Sequence, residues 1–374
     1  MDYRKLTVED PHEFLSLCIE HDYCPEALSL TDVEEQKKLV AECLNLYDKG
    51  QDDCGALACY VLLAYRLDEK QALSLLKELI DKDNPTAYYL LGECYRLGRI
   101  VNKDIAASNR YYQKAADKNE PMSLTRLGIN QLYGIGMEAD VEKALPYFLK
   151  AASLNHPVAE YSLGLIYGDR KSQHYDSKKS FTFFLKAARQ GYDEAEVRIA
   201  LAYKYGDGVK QDFAESLKWY QEAAEQGNKF ALNNLGMTYE RGLGVEPDLK
   251  KAISYYQRAA DMSFAPSEYH LGLLYLKGTG VDKSEKEAFT YIKKAADKGY
   301  SLAYAFLADF YFNGTIVPQD YQKAFTYYQL GAEENIAKAQ VGLAKCYRSG
   351  LGTQRDEDKA KVYEEKALKQ GYRE

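Results

Sequence analysis

Apolar and small residues return along this chain with a fixed beat of 36 positions. The pair Leu91-Gly92 recurs as Leu127-Gly128, Leu163-Gly164, Ile199-Ala200, Leu235-Gly236, Leu271-Gly272, Leu307-Ala308 and Leu343-Ala344, with no insertion or deletion between copies. The first half of each period carries a small residue, Leu, Gly or Ala, and Tyr at relative positions 1, 5, 6 and 9, as in Ala231, Leu235, Gly236 and Tyr239. At about 100° per residue these fall in one sector, which predicts a helix with a packing stripe. The second half carries an aromatic pair and, one turn later, Ala-Ala, as in Tyr255-Tyr256 and Ala259-Ala260. That spacing predicts a second helix with a face small enough for tight stacking.

The punctuation between these stripes agrees. Gly-x-Gly turns, such as Gly206-Asp207-Gly208 and Gly242-Leu243-Gly244, separate the two helices. Asp104, Asp140, Asp176, Asp212, Asp248, Asp320 and Asp356, with Ser284 in the sixth copy, stand where the second helix starts. Their side chains suit an N-cap, and the carboxylates also suit the positive end of the helix dipole. Each period closes on Asn119, Asn155, Gly191, Gly227, Ser263, Gly299, Asn335 or Gly371. Most of these are Gly or Asn, which tolerate the left-handed backbone of a helix stop. Pro85, Pro121 and Pro157 then open first helices, where a missing amide hydrogen costs little.

The string from Ala231 through Leu235-Gly236, Tyr239, Gly242, Gly244-Val245, Asp248, Lys251-Ala252 and Tyr255-Tyr256 to Ala259-Ala260 resembles the Sel1-like repeat, a relative of the tetratricopeptide repeat. The resemblance covers eight copies: 85–120, 121–156, 157–192, 193–228, 229–264, 265–300, 301–336 and 337–372. It implies an all-α fold, a right-handed α/α superhelical solenoid of helix-turn-helix repeats, in which each unit buries its apolar faces against its neighbours. The third copy departs from the pattern, because Tyr167-Gly168-Asp169-Arg170 lacks the paired turn glycines, and Gln131 stands where the second copy should have Tyr. Residues 50–84 read as a divergent repeat. Residues 1–49 read as an N-terminal helical cap, with helices at about 10–21 and 32–48.

Composition sharpens this picture in three places. Tyrosine is abundant, 34 against 13 Phe and one Trp, and half of it falls at position 9 and in the aromatic pair, where a ring packs and a hydroxyl reaches outward. The net charge of −7 argues against phosphate-backbone contacts, so no nucleic acid is expected. The seven cysteines (18, 24, 43, 54, 59, 94 and 346) share no repeat position and form no metal-ligand spacing. They read as buried thiols in a reducing compartment. Without a secretory signal or a long apolar run, a cytoplasmic protein with no membrane span is expected.

No catalytic motif stands out. His12, His21, His156, His174 and His270 share no repeat position, and the Gly-x-Gly turns lie between helices, not after a strand as nucleotide binding requires. The expectation is a non-catalytic scaffold or adaptor without cofactor, binding protein or peptide partners. Alternatives are a regulatory subunit or host-directed effector acting on one enzyme, or carbohydrate or peptidoglycan recognition.

The resemblance places first helices along a concave groove and leaves positions 3, 7 and 10 to line it. Two apolar clusters result, Ile129, Leu132, Tyr161 and Leu165, then Tyr269, Leu273, Leu276 and Phe312, with Tyr89 in the first copy. Such groups suit a helix or an extended peptide. The irregular third turn adds a basic loop with Arg170, Lys171, His174, Lys178 and Lys179, suited to an acidic partner segment.

Overall fold

The computed structural model describes residues 32–372. Among them are 19 helices and no strand. Three precede the repeats: α1 (Val33–Tyr47), α2 (Asp52–Ala64) and α3 (Glu69–Asp81). Eight hairpins follow: α4 (Pro85–Leu97) with α5 (Ile105–Ala116), α6 (Pro121–Tyr133) with α7 (Val141–Ser153), α8 (Pro157–Gly168) with α9 (Ser177–Arg189), and α10 (Asp193–Tyr205) with α11 (Phe213–Glu225). The remaining four are α12 (Lys229–Arg241) with α13 (Leu249–Asp261), α14 (Ala265–Lys277) with α15 (Glu285–Asp297), α16 (Ser301–Asn313) with α17 (Tyr321–Glu333), and α18 (Ala337–Ser349) with α19 (Glu357–Lys369). The chain divides into two compact units, one ending at Ala195 and the other beginning at Glu196. The expected helix at about 10–21, with His12, Cys18, His21 and Cys24, lies outside the described residues.

The caps form as their residue types dictate. Asp104 Oδ1 accepts from the amide of Ala107 at 2.9 Å, Asp248 Oδ1 from Lys251 at 3.0 Å, and Ser284 Oγ from Glu287 at 3.2 Å. Each such cap contributes on the order of 0.5–2 kcal/mol. The capping residue also locks the hairpin, since its own amide donates to the carbonyl of position 9. Asp212 donates to Tyr203 at 2.9 Å, Asp248 to Tyr239 at 2.9 Å and Asp356 to Tyr347 at 2.9 Å. All eight period-closing residues take positive φ, from 59° at Asn155 to 84° at Gly227.

The tyrosine excess is largely scaffold. Position 9 stacks nearly flat on the first ring of the aromatic pair: Tyr95 on Tyr111 at 5.5 Å, Tyr239 on Tyr255 at 5.7 Å, Tyr311 on Tyr327 at 5.9 Å. A lysine covers the outer face, as Lys251 does 5.2 Å above Tyr239, and pairs at 3.9 Å with the capping Asp248.

The second residue of the pair, position 26, explains the small residue at position 6. A Cβ on Gly236 would lie 2.5 Å from the Tyr256 ring, and one on Gly128 would lie 2.8 Å from Phe148. The bare backbone is a notch for a side chain of the second helix, and that ring, not a neighbouring backbone, fills the space.

The third repeat keeps its hairpin without the glycine pair. α8 ends on Asp169 in extended geometry (φ −75°, ψ 104°), where other first helices end on a left-handed Gly such as Gly242. The register bond survives, with the Asp176 amide 2.8 Å from the Tyr167 carbonyl.

Candidate partner-binding face

Position 3 belongs to the packing between repeats, which corrects the expectation for its members. Tyr89 is 1% exposed and Tyr269 is also buried, so neither offers surface to a partner. The cause is the end of the same repeat, which folds over the start of the first helix. Tyr269 meets Tyr300 at 5.3 Å and Phe306 of the next first helix at 5.8 Å. Thr125 Oγ1 lies 2.9 Å from His156 Nδ1, and Ser267 Oγ donates to Asn233 Oδ1 at 2.9 Å. Tyr161 remains half-buried, but its ring packs on Phe184 and Tyr192.

Positions 7 and 10 are open in most repeats. In the first unit Ile129, Leu132 and Leu165 are half-buried. In the second unit Leu201, Met237, Leu273, Leu276 and Phe312 are half-buried, each with one side on the core. Position 11 belongs to this face as well and was not expected. Tyr133 is 67% exposed and Tyr205 is 69% exposed, more than any other large apolar side chain among the described residues. The signal was present in the helix period, because position 11 follows position 7 by one turn.

The polar edge of the face is built by position 26. Tyr112 donates to Glu93, which is fully buried and also bound by Arg96 Nη2 at 2.6 Å and Arg126 Nε at 3.2 Å. Tyr256 donates to Glu240 Oε2 at 2.6 Å, and Tyr328 to Asp309 Oδ1 at 2.5 Å. Burial pushes the Tyr112 and Tyr256 phenols above their ordinary value, so they remain neutral donors. His270 stacks 4.9 Å from Tyr256, and burial holds its imidazole below the ordinary value.

A second polar device sits at position 2, where Glu160, Glu196, Glu268 and Gln340 are buried. Each meets the residue 30 positions later: Gln190 donates to Glu160 at 2.6 Å, Gln226 to Glu196 at 2.9 Å, Lys298 to Glu268 at 2.5 Å and Gln370 to Gln340 at 2.9 Å. Leu124 with Leu154, and Leu232 with Met262, occupy the same two positions as apolar residues. Sequence reading missed this clasp because each half looks like an unremarkable surface residue.

The basic loop is partly tied to the preceding hairpin. His174 Nε2 lies 2.8 Å from Glu142 Oε1, and Gln173 donates to the same oxygen at 2.6 Å. Lys179 lies 3.7 Å from the capping Asp176 and over the Tyr167 ring. Arg170, Lys171 and Lys178 are exposed.

The described cysteines, Cys43, Cys54, Cys59, Cys94 and Cys346, are buried thiols. Burial raises Cys43 and Cys94 to about 12, where thiolate chemistry is suppressed. Among the described residues no group of His, Cys, Asp and Glu is arranged to hold a metal ion, and no helix is long and apolar enough to cross a membrane.

The model of the Sel1 repeat matches eight consecutive segments, 85–120, 121–156, 157–192, 193–228, 229–264, 265–300, 301–336 and 337–372. The chain belongs to the Sel1 repeat family. Among solved structures, a Sel1 repeat protein from Oxalobacter formigenes is 29% identical, with 65% of this chain and 96% of that chain covered and a TM-score of 0.58. The protective antigen c5321 of uropathogenic Escherichia coli, which displays the same fold, is 24% identical over 89% of this chain and 80% of its own, with a TM-score of 0.51. No curated protein matches the chain at a significant level. Sel1 repeat proteins are typically interaction scaffolds, and their fold is generally non-catalytic.

Proposed function

We propose that this Sel1 repeat chain works as a non-catalytic scaffold in the cytoplasm, holding protein or peptide partners along positions 7, 10 and 11 of its first helices. The observation that carries the reading is the division of labour within each repeat. Positions 1, 3, 5, 6, 9, 25 and 26 are largely committed to packing, whereas positions 7, 10 and 11 carry apolar and aromatic groups left half-buried or exposed, among them Leu132, Tyr133, Leu165, Tyr205, Leu273 and Leu276. Tyr133 and Tyr205 present large amphipathic rings at low conformational cost, the kind of anchor that interfaces favour. The half-buried Leu165 and Leu273 supply flanking apolar area.

Photo-crosslinking tests this directly. A benzophenone side chain placed at Tyr133 or Tyr205 captures the partner, whereas the same group at exposed Val362 or Leu330 of second helices does not. Equal capture at both sets of positions contradicts the reading.

A further inference from the structure

The repeats disagree about one group, and the disagreement points to a ligand. Three ring hydroxyls at position 26 have an acidic acceptor on the first-helix face: Tyr112 on Glu93, Tyr256 on Glu240 and Tyr328 on Asp309. The fourth repeat keeps the tyrosine but places Leu201 and Lys204 at positions 7 and 10. The Tyr220 hydroxyl is buried and has no hydrogen-bond partner among the described residues. A buried donor left unpaired is costly, and native structures rarely keep one without a use.

The residue at the place of the missing acid is also unpaired. Lys204 is 9% exposed, and among the described residues no carboxylate pairs with its ammonium, whose Nζ sits 5.5 Å from the Tyr205 ring centroid. Glu240, the acid at the corresponding place one repeat later, is engaged by Tyr256. Arg241 brings a second cation without a carboxylate partner among the described residues. Burial and then the Arg241 charge hold the Lys204 ammonium below the usual lysine value, so the two cations feel each other. Because Lys204 takes the place from which Glu240 accepts the Tyr256 hydroxyl one repeat later, the repeat geometry brings the unused Tyr220 hydroxyl towards these two cations, with the exposed Tyr205 ring at the rim.

We propose that Lys204, Arg241 and Tyr220 form a binding site for a carboxylate of a peptide partner, which supplies the oxygen that Glu240 supplies in the next repeat. The site rests on the reading that partners lie along this face, and it adds that the partner is acidic at the segment passing Tyr205. Charge-assisted bonds from an ammonium and a guanidinium to a carboxylate are among the stronger polar contacts a protein offers.

The test uses the full chain with ¹³C-labelled lysine, following the Lys204 Cε resonance, assigned by its loss in Lys204→Met. Titration with acetyl-Gly-Glu-Gly-amide offers a side-chain carboxylate, and acetyl-Gly-Gly-Gly with a free C-terminus offers a terminal one. A saturable shift with either peptide, roughly tenfold weaker with acetyl-Gly-Gln-Gly-amide, supports the site, and the stronger of the two identifies the source of the carboxylate. A response equal to that of the glutamine peptide overturns the proposal, and so does a stronger response to inorganic phosphate.

Lys204→Glu supplies the missing acceptor within the chain, so it raises Tm and abolishes the peptide response. A lowered Tm means the hydroxyl does not meet position 10, which also overturns the site. Crosslinking at Tyr205 without any carboxylate response sinks the site and leaves the scaffold reading standing. Equal crosslinking at Val362 sinks the scaffold reading itself.

Discussion

Tyr220 and Tyr256 occupy the same repeat position in the second unit and are both fully buried, yet their hydroxyls meet opposite fates. Tyr256 donates to Glu240 at 2.6 Å, whereas Tyr220 has no acceptor among the described residues. The ring alone therefore makes the scaffold, and the hydroxyl belongs to the first-helix face. That separation leaves one face free to differ between repeats while the other is held by packing.

Removing the ring has the largest expected effect. Tyr256→Ala empties the notch at Gly236 and costs about 3–5 kcal/mol in chemical unfolding. Leaving the ring and deleting the acceptor costs less: Glu240→Leu leaves the Tyr256 hydroxyl buried and unpaired, for about 1–3 kcal/mol. Removing the hydroxyls sharpens the comparison most, because the signs differ. Tyr256→Phe lowers the denaturation midpoint, while Tyr220→Phe leaves it unchanged or raises it. A loss of stability in both would show that the Tyr220 hydroxyl is satisfied in solution.

A smaller contrast concerns the position-2 clasp. Glu160 meets the neutral Gln190, whereas Glu268 meets the cation Lys298. Burial raises the Glu160 carboxyl from 4.5 to about 7, only partly offset by Lys186 and by the Gln190 hydrogen bond. A raised folded value means the folded state binds the proton more tightly, so this group favours folding as pH falls from 7 towards 4.5. Glu160→Gln should flatten that part of the stability-versus-pH curve and raise stability at pH 8, as read by denaturant titration. An unaltered profile contradicts the assignment.

Much of the scaffold was legible because the residues that define it act locally. Asp248 caps its own helix, Asn155 turns its own backbone, and Tyr239 stacks within its own hairpin. The face was harder to read, because it depends on what the next repeat covers. Positions 3 and 7 lie one turn apart and look equivalent on a helical wheel, but Tyr300 and Phe306 close over Tyr269 while Leu273 stays half-open. Position 11 was passed over for the reverse reason, since Tyr133 and Tyr205 stay largely exposed. A glycine at position 6 does not reveal from sequence whether backbone or ring fills the space it leaves; at Gly236 it is the Tyr256 ring.

The decisive measurement is binding of the captured partner to purified Tyr133→Ala/Tyr205→Ala protein. Affinity falls roughly tenfold or more, the level expected when an interface anchor is truncated, with unchanged helicity and Tm. Unchanged affinity at unchanged stability would contradict the scaffold reading.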